Sequence, residues 1–152
     1  MENLDTSDRR ILQHLQRNAD QPLESLAEAV GLSRNAVWRR VKSLETRGII
    51  KARVALLDAE AVGFGLSVFM LIRTSSHAPD WLQRFAKATR DLPEILGAYR
   101  MTGDLDYLVR ARVADVAAYD ALYQRLIKRV EIADVSASFV MEELKETTAL
   151  PL

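Results

Sequence analysis

Apolar residues recur at helical spacing three times in the first fifty positions. Ile11, Leu12 and Leu15 form one stripe, which predicts a helix capped by Ser7 and ending near Asn18. "QPLESLAEAVG" gives a second helix. Pro22 suits a first helical position, Leu23, Leu26, Ala27 and Val30 share a face, and Gly31 closes it. "LSRNAVWRRVKSLETRG" gives a third, with Ser33 as N-cap, Val37, Val41 and Leu44 turned inward, and Gly48 as the stop. Two helices joined by a short glycine-bearing turn make a helix-turn-helix, and Ala27 is small enough to let them cross closely. "IIKARVALL" then reads as a strand-like wing carrying Lys51 and Arg53 on one face.

Beyond a connector with two glycines, "LLDAEAVGFG", the period changes. "LSVFMLIR" predicts a strand, "DWLQRFAKATR" an amphipathic helix and "ILGAYRMT" a strand. "YLVRARV", "VAAYDALYQRLIKRV" and "VSASFVMEEL" repeat that order. The chain therefore reads as an α+β protein: a winged helix-turn-helix over residues 1–57, a hinge over 58–65, and a ferredoxin-like βαββαβ domain over 66–152. In "LSVFMLIR", Leu66, Val68, Met70 and Ile72 point one way and Phe69 and Leu71 the other. Two helices on one side cover only one of these apolar faces. A second copy packed sheet against sheet would cover the other, so a two-fold dimer built by this half is expected.

Composition adds exclusions. The 152 residues include no cysteine, which removes disulfides and thiolate metal sites and fits a reducing cytoplasm. Only His14 and His77 offer imidazole, far apart in sequence, so no metal centre is expected. There is no apolar run near the roughly 20 residues of a membrane helix, and no basic, then apolar, leader. Neither a nucleophile–base cluster nor a phosphate-cradling glycine loop appears, so the chain reads as a non-enzyme without cofactor.

Charge changes the picture more. The formal net charge is zero, yet residues 34–53 hold seven bases and a single acid, Glu45. On the third helix Asn35, Arg39, Lys42 and Thr46 fall opposite the core stripe, with Trp38 at the margin. Such a face suits a major groove, where Arg pairs with guanine and Asn with adenine. Arg34 and Arg40 flank the core stripe and are expected to reach phosphates. The candidate DNA-binding set is Ser33, Arg34, Asn35, Trp38, Arg39, Lys42, Lys51 and Arg53. A solvated basic surface on a helical subdomain is the bland alternative.

"LAEAVGLSRNAVWRRVKSLETRGII", a short hinge, and a βαββαβ half containing "GDLDYLVR" and ending "VMEELK" together resemble the Lrp/AsnC family of prokaryotic transcription regulators. The resemblance spans nearly the whole chain. It implies dimers assembling into octamers or similar rings, DNA wrapped or bent around them in the nucleoid, and an amino-acid effector bound where dimers meet. In that family the loop matching "TGDLD" and the strand matching "SASFVM" line the effector site. The resemblance thus points to Thr102, Gly103, Asp104, Asp106, Ser136 and Ser138. Gly103 permits a positive φ that brings N–H groups toward a carboxylate, and Asp106 can accept hydrogen bonds from an α-ammonium. A hairpin whose aspartates satisfy their own backbone would look similar. Where leucine-type regulators carry a larger aromatic, this chain has Ser138, which suggests a small or polar effector side chain. "VALLDAEAVGFGLSVFMLI" and "TTALP" also resemble a subgroup linked to cysteine sensing. Two other readings on the same scaffold are an effector-independent nucleoid-structuring protein and a tetrapyrrole-decarboxylase-like enzyme.

Overall fold

The computed structural model describes residues 4–74 and 78–152, so His77 lies outside the described residues. Two compact units emerge, one of residues 1–55 together with 144–152, the other of residues 56–143.

The first unit holds helices α1 (Thr6–Leu15), α2 (Leu23–Val30) and α3 (Arg34–Thr46). Their apolar stripes meet in one cluster: Ile11 and Leu12 of α1, Leu26, Ala27 and Val30 of α2, and Val37, Val41 and Leu44 of α3. Asp5, not Ser7, caps α1. Its carboxylate accepts the Asp8 N–H at 2.7 Å, and the helix stops at Leu15 rather than near Asn18. Pro22 occupies the N-cap of α2 instead of its first turn. Gly31 adopts φ 69°, ψ 37°, a left-handed cap, and Leu32 N–H donates back to the Ala27 carbonyl. That reversal aims Leu32 into the core and starts α3 three residues later, with the Ser33 hydroxyl accepting from Ala36 N–H.

The expected wing strand is absent among the described residues. Ile49 and Ile50 N–H groups both return to the Leu44 carbonyl, finishing α3, and residues 51–57 run on exposed without a ladder. A strand exists only where a neighbour takes its hydrogen bonds, and none of the described residues pairs with it there. Residues 144–152, assigned from sequence to the βαββαβ domain, belong with the helices. The Gln16 amide accepts from Leu150 N–H at 2.6 Å and donates to the Leu150 carbonyl at 3.1 Å, Gln13 donates to the Leu152 carbonyl, and Leu152 packs on the helical cluster. The tail has paired polar groups and an apolar seat here, which outweigh its place in sequence.

The second unit opens with an ordered turn. Asp58 accepts the N–H groups of Glu60 and Ala61, and Phe64 N–H reaches the Ala59 carbonyl at 2.7 Å. The unit then follows the predicted order: β1 (Leu66–Arg73), α4 (Pro79–Asp91), β2 (Ile95–Arg100), β3 (Tyr107–Val113), α5 (Val116–Ile127) and β4 (Asp134–Phe139). The sheet runs β2-β3-β1-β4, every pair antiparallel. Val68, Met70 and Ile72 of β1 and Val109 and Ala111 of β3 are wholly buried under Trp81, Phe85 and Ala88 of α4 and Leu122 and Leu126 of α5. Both helices thus cover one face. On the other, Phe69, Leu71 and Leu108 stay only half-buried and Tyr99 is exposed.

Candidate functional site

Helix α3 separates its residues as its periodicity predicts. Val37, Val41 and Leu44 are buried, whereas Asn35, Arg39, Lys42 and Thr46 are exposed and Trp38 keeps 54% of its surface in solvent. Internal acids engage much of the basic patch. Arg34 pairs with Glu24 at 2.8 Å, with both side chains more than 60% exposed. Lys42 and Arg53 both bind Glu45 at 2.9 Å, and these two cations, Lys42 foremost, hold its carboxyl below the usual range. The Thr46 hydroxyl donates to the Lys42 carbonyl of its own helix. Asn35, Arg39 and Lys51 remain exposed, and neither Arg39 nor Lys51 forms an ion pair among the described residues.

Arg40 is engaged from within its own unit. Its position beside the core stripe suggested a phosphate contact, yet its guanidinium turns toward α1 and donates to Asp5 Oδ2 and Asp8 Oδ1, each at 2.7 Å. Asp8 is only 7% exposed, so it needs this partner and binds Arg40 into the unit. The Asp5 carboxyl is held below the ordinary range by Asp8 N–H first and by Arg40 second. Sequence reading counted these bases without their acids. Of the five pairings, only Lys42–Glu45, at i and i+3 on one helix, left a trace in the spacing.

The candidate effector residues fall in two places. Thr102, Gly103 and Asp104 lie exposed in the turn between β2 and β3, where Gly103 has φ 101°. Asp106, half-buried, closes that turn: its N–H donates to the Ile72 carbonyl, its carbonyl accepts from Met101, and its carboxylate accepts Thr74 N–H at 2.8 Å. Arg73 donates to the Asp104 carbonyl at 3.1 Å. Ser136 and Ser138 sit on β4, paired with Leu71 and Phe69, on the sheet face that the helices leave open. With strands about 4.8 Å apart and about 3.4 Å of rise per residue, Ser136 stands about 12 Å and Ser138 about 17 Å from Asp106. Within one chain the loop and the serines stand at two places on the second unit.

Sequence reading also missed a cleft of about 510 Å³ between α4 and β2, lined by Leu82, Phe85, Ile95, Leu96 and Tyr107, with Arg90 and Arg100 among its polar residues. Only assembly of the sheet brings those positions together, so periodicity carries no sign of it. No group of residues suited to a metal ion occurs among the described residues, and no described helix is long and apolar enough to cross a membrane.

A helix-turn-helix with a cationic second helix, followed by a βαββαβ unit, defines a two-unit DNA-binding regulator. Residues 4–51 match the family described as winged helix-turn-helix DNA-binding, and residues 67–150 match the Lrp/AsnC ligand binding domain. The chain is 46% identical to the DNA-binding transcriptional activator DecR of Escherichia coli, over 98% of this chain and 99% of that one. It superposes with TM-score 0.94 on an AsnC family transcriptional regulator from Agrobacterium tumefaciens, at 48% identity and 97% of each chain. It also superposes with TM-score 0.93 on the L-Met complex of a transcriptional regulator from Neisseria meningitidis, at 37% identity, over 98% of this chain and 97% of that one. The chain belongs to the Lrp/AsnC family of transcriptional regulators.

Proposed function

We propose that α3 enters the major groove of double-stranded DNA. Asn35 and Arg39 read base edges, and Ser33, Arg34, Trp38, Lys42, Lys51 and Arg53 position the unit along the backbone. The observation that carries this reading is the exposed Asn35–Arg39 face on the second helix of the helix-turn-helix, whose Arg39 forms no ion pair among the described residues. Its test is footprinting on the chain's own promoter region. Arg39→Ala should lose the protected pattern while the oligomer survives, and an unchanged footprint would place the wrong face in the groove.

The second unit senses a free amino acid and changes DNA affinity. The similarity to an L-Met complex across nearly the whole chain supports that class of effector. A zwitterion needs an anion and N–H donors within a few ångströms, and the Gly103–Asp106 turn offers both. Because Ser136 and Ser138 stand far from that turn within one chain, a site using both draws them from different protomers. The half-buried Phe69, Leu71 and Leu108 favour a two-fold dimer through the open sheet face, and further contacts would build an octamer or ring. Ser138 favours a small or polar effector side chain. The protein acts on the nucleoid in the cytoplasm. Calorimetry of the purified protein against the twenty amino acids tests the sensing role. One binder that also shifts DNA affinity supports it, and none would leave an effector-independent DNA-packing protein.

A further inference from the structure

The single acid among the seven bases of residues 34–53 does not stand idle on a solvated face. Glu45 Oε2 accepts from Lys42 Nζ and Glu45 Oε1 accepts from Arg53 Nη2, each at 2.9 Å. One cation lies on the exposed face of α3, the other on the extended segment that follows it. A carboxylate with two oxygens bound to two different cations has the charge and contacts that a backbone phosphate would have. To reach DNA, Lys42 and Arg53 must give up Glu45, which is then left as an unpaired anion facing a polyanion.

We propose that Glu45 is a built-in competitor of DNA phosphate. It neutralises Lys42 and Arg53 in the free protein and so lowers affinity for DNA of any sequence. Discrimination then rests on Asn35 and Arg39. Non-specific affinity comes almost wholly from cations neutralising phosphates and releasing counterions. Cations already neutralised from within release fewer, whereas base contacts are untouched. The residue thus sets specificity by depressing the background rather than by reading a base. This inference rests on α3 being the DNA-facing helix.

The experiment is fluorescence anisotropy of a labelled random-sequence duplex, and of the protein's own promoter duplex, against the full-length protein at several salt concentrations, using wild type, Glu45→Gln, Arg53→Ala and the double variant on the first and Arg39→Ala on the second. Glu45→Gln should bind about three- to tenfold more tightly, since exposed ion pairs are individually weak. Its salt dependence should steepen by about 1 to 2 in log–log slope, at about 0.9 per added phosphate contact. Arg53→Ala should weaken binding several-fold more in the Glu45→Gln background than in the wild type. Unchanged or weaker binding of the random duplex by Glu45→Gln, with an equal effect of Arg53→Ala in both backgrounds, would overturn the competitor alone, provided Arg39→Ala still weakens binding to the promoter duplex. Were Arg39→Ala also without effect on the promoter duplex, the α3 interface itself would fall, and the competitor with it.

Discussion

Arg39 and Arg40 are neighbours in sequence with opposite work. Arg40 ties α1 to α3 through Asp5 and the nearly buried Asp8, while Arg39 projects into solvent with no ion pair among the described residues. Arg40→Ala strands the Asp8 carboxylate and should cost about 1–3 kcal/mol of stability. Arg39→Ala should stay within about 0.5 kcal/mol. Thermal unfolding of the two variants separates them, and equal midpoints would show that the Asp8 pair is dispensable. The same cluster sets an acid limit. The Asp5 and Glu45 carboxyls lie below their ordinary values when folded, Asp5 through the Asp8 N–H and then Arg40, Glu45 through Lys42 and then Arg53. Their stabilising share is complete above the unfolded values near about 4. It is lost as pH falls through the lower folded values. Thermal midpoints should therefore drop between pH 5 and pH 3, and Asp5→Asn should flatten that drop. The helical wheel separated core from surface along α3 correctly at residue scale. It gave no partner for Arg34, Arg40 or Arg53, because an ion pair between distant positions leaves no period in a sequence.

At the scale of elements, periodicity located helices and strands well where an apolar face was buried. β1 and β3 have the bounds their alternation predicts, because each is packed on the helix layer along its length. Elements whose fate depends on a neighbour were less legible. The β-branched, alternating "IIKARVALL" forms no strand, because among the described residues no segment pairs with it. β4 ends at Phe139 rather than running to Leu144. The turn between β2 and β3 tests more sharply. Gly103 has φ 101° with nothing within 4 Å of an added Cβ, so any cost of substitution is backbone strain rather than crowding. Gly103→Ala should lower stability by about 1–3 kcal/mol. It should also weaken amino-acid binding by disturbing the Asp106 closure. Calorimetry that finds the variant binding like wild type would return the turn to a plain hairpin.

For the whole molecule, the sequence showed two functional halves, and the last nine residues, assigned from sequence to the second, pack with the helices of the first. Nothing in "LKETTALPL" announces that Leu150 and Leu152 seat against Gln16 and Gln13, which lie more than 130 positions earlier. The candidate effector residues were legible only in pieces, since Thr102, Gly103, Asp104 and Asp106 lie in and beside the β2–β3 turn and Ser136 and Ser138 on β4. Dimerisation through the open sheet face makes a direct demand. Leu71→Glu removes an apolar centre of that face without entering the helix-covered core, so it should sediment as a folded monomer and bind DNA more weakly. A dimer unchanged by that substitution would put the interface elsewhere. One measurement reaches the central claim that a cationic helix grips DNA while a sheet-built unit reports a metabolite. It is the affinity of the intact protein for its own promoter duplex, read by anisotropy with each free amino acid in turn. The account predicts binding that weakens steeply with salt and shifts about fivefold or more, within the usual range of coupling, for at least one amino acid. Binding insensitive to both would contradict it.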